Sequence, residues 1–110
     1  MLLRCLLLAS IFSALSLPAY AERLTLQLQL NADGFSPKTL TAPPNKAIKI
    51  ELINNTNKVA ELESYDMKFE KIIVPKGKIS VYTGPLKAGK YHFFNDYASN
   101  VVGIVNVKLP

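Results

Sequence analysis

The segment RLTLQLQL, residues 23–30, constrains the fold more than any other part of this chain. Leu24, Leu26, Leu28 and Leu30 fall on one side of an extended backbone, and Thr25, Gln27 and Gln29 on the other. Successive side chains leave opposite faces of a strand, so a period of two marks a strand with one face buried. The pattern returns in KAIKIELI, where Ile48, Ile50 and Leu52 alternate with Lys49 and Glu51. KTLTA, VAELES, KFEKIIVP, KISVYT, YHFF and VVGIVNVKL read as further short strands. They are separated by turn signals at NADGFSP, PPN, NNTN, Pro75-Lys76-Gly77 and GPLKAGK. Asn, Asp, Gly and Pro supply the backbone angles that reverse a chain, and strands spaced this closely pack as two sheets. No long segment carries the 3.6-residue period of a helix. The expectation is an all-β protein, an antiparallel Greek-key β-sandwich of seven to eight strands. Its core is expected from Leu24, Leu26, Leu28, Phe35, Leu40, Ile48, Ile50, Leu52, Ile73, Val81, Leu86, Tyr91, Phe93, Ile104, Val105 and Val107.

The first stretch, MLLRCLLLASIFSALSLPAYA, reads differently. Arg4 precedes an apolar run over residues 5–17, and Ala19-Tyr20-Ala21 is an A-x-A cleavage site, which together make a secretory signal peptide over 1–21. The run is shorter than the roughly 20 apolar residues a spanning helix needs, so the mature protein is expected to have no membrane span. The expected domain is 22–110, of 110 − 21 = 89 residues, and it would be periplasmic. The single cysteine, Cys5, lies in the signal, which removes disulfides, thiolate metal sites and cysteine nucleophiles from the mature chain.

Without Arg4, 13 − 1 = 12 basic residues face 8 acidic ones. The lysines are scattered rather than gathered into a stripe, so the charge does not indicate nucleic acid. No Ser-His-acid triad of workable spacing, phosphate-cradling glycine loop or HExxH is present. Paired carboxylates could serve glycoside chemistry, but a domain of this size leaves little room for a sugar cleft.

The acids are distributed unevenly. ELESYDMKFEK, residues 61–71, holds Glu61, Glu63, Asp66 and Glu70, half of the chain's 8 acids. Glu61 and Glu63 are two apart on an expected strand, so both leave the same face, roughly 7 Å apart at about 3.3 Å per residue. Two such carboxylates repel unless a cation or a lysine lies between them. Lys58, Lys68 and Lys71 are near enough in sequence to make the stretch a salt-bridged rim; a bound cation is the other reading. Asp66 and Met67 fall in a turn from which carboxylate and thioether could reach one end of the sandwich. His92, the only histidine, alternates with Tyr91 and Phe93, so it points outward if they point inward. Asp96 follows in the next loop. The candidate metal residues are therefore Glu61, Glu63, Asp66, Met67, Glu70, His92 and Asp96, expected as an end-loop cluster.

Four motifs in order carry a family resemblance. Phe35-Ser36-Pro37 with Leu40 resembles the F-x-P-x-x-[ILV] opening of cupredoxins, and KAIKIELINN their next strand. LKAGKYHF, residues 86–93, is similar to their L-x-x-G-x-Y-x-F segment, and Gly103–Val107 to the closing G-x-[IV]-x-V strand. The resemblance implies a cupredoxin-like fold. A blue-copper cupredoxin carries a cysteine two residues after the phenylalanine, then a histidine and a methionine; here Asn95 stands in the cysteine position, followed by Asp96, Tyr97 and Ala98. The family's first histidine falls near Glu61 or Glu63. Oxygen groups thus replace soft ligands, which suits harder ions than copper.

Glu61-Leu62-Glu63, Asp66, Glu70 and the Pro75-Lys76-Gly77 turn resemble the E-x-E element of EfeO-type cupredoxin-like domains of bacterial ferrous-iron uptake. That resemblance implies a periplasmic protein binding iron or copper, with an iron permease or other periplasmic iron-transport components as partners. It leaves open whether iron is oxidised or only bound, or electrons transferred. The alternative is a metal-free β-sandwich serving as an interaction module of the cell envelope.

Overall fold

The computed structural model describes residues 22–110, and the signal-peptide reading of 1–21 lies outside them. The alternating segments become nine strands: β1 (Leu24–Asn31), β2 (Gly34–Ser36), β3 (Thr39–Ala42), β4 (Ile48–Asn54), β5 (Ala60–Ser64), β6 (Phe69–Ile73), β7 (Lys78–Thr83), β8 (Gly89–Asn95) and β9 (Ala98–Val107). They form a four-stranded sheet, β2-β1-β4-β7, and a five-stranded sheet, β3-β9-β8-β5-β6. No helix long and apolar enough to cross a membrane is present among the described residues.

The sandwich and the all-β class are as the alternation implies, with two corrections. There are nine strands among the described residues rather than seven or eight, because NADGFSP is not only a turn: Gly34–Ser36 folds back to pair with the end of β1. The sheets are also mixed rather than antiparallel, since β1 runs parallel to β4 and β3 parallel to β9. Parallel neighbours need a long connection between them. The chain supplies one by leaving β1, crossing to the other sheet as β3, and returning as β4.

The core lies between the sheets. Ile48, Ile50 and Leu52 of β4 are buried against Leu28 and Leu30, Leu62, Phe93, Val105 and Val107. Phe93 and Phe35 meet edge to face with ring centroids 5.0 Å apart, in the offset geometry aromatic quadrupoles favour. The Phe93 ring lies over Gly103 of β9, where an added Cβ would collide with it. Leu24, Leu26, Leu86 and Tyr91 are only half-buried at the margins. Ile104 departs from the expected core: it stands opposite His92 on the outer face, because Gly103, Val105 and Val107 take the inward positions of β9. Ala42, Ala60, Leu62 and Met67 join the core instead.

Candidate functional site

Glu61 and Glu63 leave the outer face of the five-stranded sheet, half-buried, while the alternating Leu62 and Ser64 turn inward and are buried. Across the β5–β6 ladder Glu63 stands directly opposite Glu70, and Glu61 opposite Ile72. One carboxylate oxygen from each of Glu61, Glu63 and Glu70 lies within 4.8 Å of the others. Asp96 joins from the loop after β8, its N–H donating to the Glu61 carbonyl at 2.9 Å. Like charges directly opposite on neighbouring strands destabilise a sheet. Partial removal from water pushes the Glu61 carboxyl above the ordinary glutamate range, and the Glu70 and Glu63 charges push it further. The neighbouring Asp96 carboxyl adds to the shift. Glu63 is raised likewise by its loss of water, then by Asp96 and Glu70.

Among the described residues no lysine or arginine answers this charge. Among the described residues the ion pairs are Lys49–Glu51 at 3.1 Å and His92–Asp66 at 3.3 Å, and neither involves the three glutamates. Lys71 turns away and donates to the Ser80 carbonyl at 3.2 Å. The salt-bridged rim is therefore not what the side chains form.

The remaining candidates do not join the glutamates. Asp66 sits in the β5–β6 turn, where its Oδ2 accepts the His92 N–H at 2.8 Å and lies 3.3 Å from His92 Nδ1. These two hydrogen bonds hold the Asp66 carboxyl below the usual aspartate range. His92 points outward, as its alternation with Phe93 implies, and its partner is Asp66. Met67 is 5 % exposed and belongs to the core, with its N–H donated to Ser64 Oγ at 2.9 Å. The expected end-loop cluster is thus a three-glutamate group on a sheet face with Asp96 beside it, a separate Asp66–His92 pair, and a methionine in the core.

Two asparagines matter more than their sequence context suggests. Asn54 is fully buried: its amide donates to the carbonyls of Lys58 and Val74 at 2.7 and 3.2 Å, and its Oδ1 accepts from Thr56 N–H and Oγ1. Asn95 Oδ1 accepts the N–H groups of Glu61 and Tyr97, each at 3.1 Å, and so ties the loop after β8 to β5. Each ends a β-prone run and opens a turn, the position where asparagine side chains bond nearby backbone, and the resemblance also singles out Asn95. Asn95 also lines a cleft of about 490 Å³ at one end of the sandwich, with Ala60, Lys58 and Val101.

A family profile described as "Cupredoxin-like domain" matches residues 4–107. The chain belongs to that family. A curated relative, an uncharacterized protein of Rickettsia prowazekii (strain Madrid E), is 31% identical over 74 residues, covering 67% of this chain and 59% of its own length. Solved structures share the fold at low identity. The metal-binding domain of the Cu(I)-exporting P-type ATPase CopA of Streptococcus pneumoniae D39, solved with Cu(I), has a TM-score of 0.68 at 14% identity, over 77% of this chain and 85% of that one. Auracyanin A, a blue copper protein of Chloroflexus aurantiacus, has a TM-score of 0.67 at 12% identity, over 79% and 100%. A purple cupredoxin of Nitrosopumilus maritimus has a TM-score of 0.58 at 16% identity, over 74% and 98%.

The cupredoxin-like family raises the question of copper. A blue centre needs cysteine thiolate and imidazole together. By the resemblance Asn95 stands in the cysteine position, and neither cysteine, histidine nor methionine lines the cleft beside it. The residues present do not fit a blue-copper centre. Glu61, Glu63 and Glu70 offer hard oxygen donors instead.

Proposed function

We propose that this cupredoxin-like protein is exported to the periplasm through a leader over 1–21 and binds iron there during Fe(II) uptake, beside an iron permease or another iron-transport component. The observation that carries the reading is the set of three glutamate oxygens within 4.8 Å, unanswered by any lysine. Two ligands on opposite sides of one ion stand at most about 4.2 Å apart for metal–oxygen bonds near 2.1 Å, and about 5 Å for the longer bonds of a calcium-sized ion. Three oxygens sharing one ion stand closer, about 3.6 Å apart in a trigonal set with the shorter bonds, so the group within 4.8 Å closes on a small hard cation as the side chains draw together. The resemblance to EfeO-type domains selects iron among such cations, with copper as the other metal of that resemblance. Carboxylates favour the ferric over the ferrous ion, which lowers the iron's potential and makes its oxidation easier; binding without turnover satisfies the same geometry.

Calorimetry with Fe(II), Mn(II), Cu(II) and Zn(II) tests the site. The Glu61→Gln/Glu63→Gln variant should bind iron at least about tenfold more weakly than wild type. Equal affinity in a folded variant removes the glutamates from the site. A metal-free interaction module is the second reading, and it draws on the aromatic pair beside the glutamates: Tyr65, 72 % exposed, meets the half-buried Phe94 with ring centroids 5.2 Å apart. Under that reading the same variant fully supports growth on Fe(II).

A further inference from the structure

Asn95 is nine-tenths buried, at 8 % exposure, and its carboxamide is oriented by chemistry rather than by choice. The atom between the N–H groups of Glu61 and Tyr97 receives two hydrogen bonds, which only the amide oxygen can do. Both N–H donors of Nδ2 are then left without a partner among the described residues. Asn54, fully buried, uses both ends of its amide. A buried polar group without a partner costs free energy and calls for one from outside the chain, a water or a ligand.

The surroundings say what that is. Asn95 lines the 490 Å³ cleft, a size within the range of small-molecule sites. Lys58 and Asn57 are among its lining residues, and no aspartate or glutamate is. Leu30, Ala60 and Val101 give it an apolar wall. A cation would meet donors and a lysine there, with the Asn95 oxygen already occupied twice. An anion meets N–H groups and a positive charge.

We propose that this cleft binds a small organic carboxylate. Its oxygens accept from the Asn95 amide with Lys58 beside them, and its carbon skeleton lies on Leu30, Ala60 and Val101. The site is separate from the glutamate group and does not rest on the metal-binding reading.

Side-chain amide resonances in a proton–nitrogen correlation spectrum read the Asn95 donors directly. Titration of the purified protein with succinate at constant ionic strength should move the Asn95 NH2 pair and the backbone signals of Asn57 and Lys58 together, with saturation. Asn95→Asp keeps an oxygen for the Glu61 and Tyr97 N–H groups but replaces the donors with a charged acceptor, and should weaken succinate binding by about tenfold or more. Lys58→Gln should weaken it several-fold with Asn95 intact, which keeps the test readable if Asn95→Asp misfolds. Glu70→Gln, on the sheet face, should leave it unchanged. Three results overturn the proposal: no saturable movement of the Asn95 pair, which leaves a water-filled cleft; undiminished binding by both cleft variants; or the same response to phosphate and sulfate as to succinate, which means an adventitious ion only.

Discussion

Met67 separates a ligand from a packing residue in one experiment. Its residue type and turn position admit a thioether donor, yet the side chain is 5 % exposed within the core cluster. Its backbone is held on both sides, by Ser64 Oγ accepting its N–H at 2.9 Å and by Thr83 Oγ1 donating to its carbonyl at 3.3 Å. Truncation to alanine should therefore leave a cavity that the anchored turn cannot collapse, costing about 2–5 kcal/mol, a large part of the roughly 5–15 kcal/mol total of a small domain. For a domain of this size that lowers Tm by on the order of 10–30 °C. Met67→Leu keeps the volume and removes only the sulfur, so it should cost less than about 1.5 kcal/mol. Thermal and urea denaturation of both variants measure these costs, and iron calorimetry of the folded leucine variant measures the sulfur. A packing residue predicts a large loss for alanine, a small one for leucine and unchanged iron affinity. Stable Met67→Leu protein that binds iron tenfold or more weakly would refute the assignment and return the thioether to the site.

Acidification supplies the next test. The Glu61 and Glu63 carboxyls are raised in the folded protein, so their contribution to stability is fully present below the unfolded glutamate value and is lost as pH rises through the folded one. Asp66 is lowered, so its contribution is present above the ordinary aspartate value and is lost as pH falls through the folded one. Iron affinity should fall on acidification from neutral pH as protons compete for the glutamates, and carboxyl chemical shifts followed by NMR should show Glu61 and Glu63 titrating above, and Asp66 below, their unfolded values. Without metal, Glu63→Gln should raise Tm slightly in neutral buffer by removing a charge that faces Glu70 across the ladder; an unchanged or lower Tm counts against uncompensated repulsion. Gly103→Ala should destabilise by about 1–3 kcal/mol or more in urea denaturation, because the new methyl meets the Phe93 ring, and Phe93→Leu in the same chain should recover part of that loss.

The fold was legible because burial on one face leaves an alternating record. Ile48, Ile50 and Leu52 alternate with Lys49 and Glu51 in sequence and as buried and half-buried residues in the strand. What alternation cannot show is which strand lies beside which. The parallel pairing of β1 with β4 depends on the route of β2 and β3 across the sandwich, and no residue of LTLQLQLN encodes a neighbour's direction. The ninth strand escaped for a related reason, since three residues are too few to display a period. Ile104 was misplaced because VVGIVNV is apolar on both faces, and only the pairing of Gly103 with Phe93 fixes which residues of β9 point inward.

The same limit divided the candidate site. That Glu61 and Glu63 share a face follows from their spacing alone, but their third partner is set by the register of the β5–β6 hairpin. The ladder closes at Ser64 and Phe69, with four turn residues between them, and Lys68 takes a positive φ of 62° within that turn. This closure places Glu70 opposite Glu63 and carries Asp66 out of the ladder to His92. A slip of one residue would turn Glu70 to the opposite face of the sheet. The charge density of ELESYDMKFE is the same in either register, so composition cannot distinguish three converging carboxylates from a dispersed acidic turn. Ser64 makes the difference: buried and facing inward, it donates to the His92 carbonyl at 2.6 Å and accepts the Met67 N–H, tying the turn both to β8 and to the core. The convergence of the three glutamates thus rests on a side chain outside their group, and it belongs to register rather than to composition.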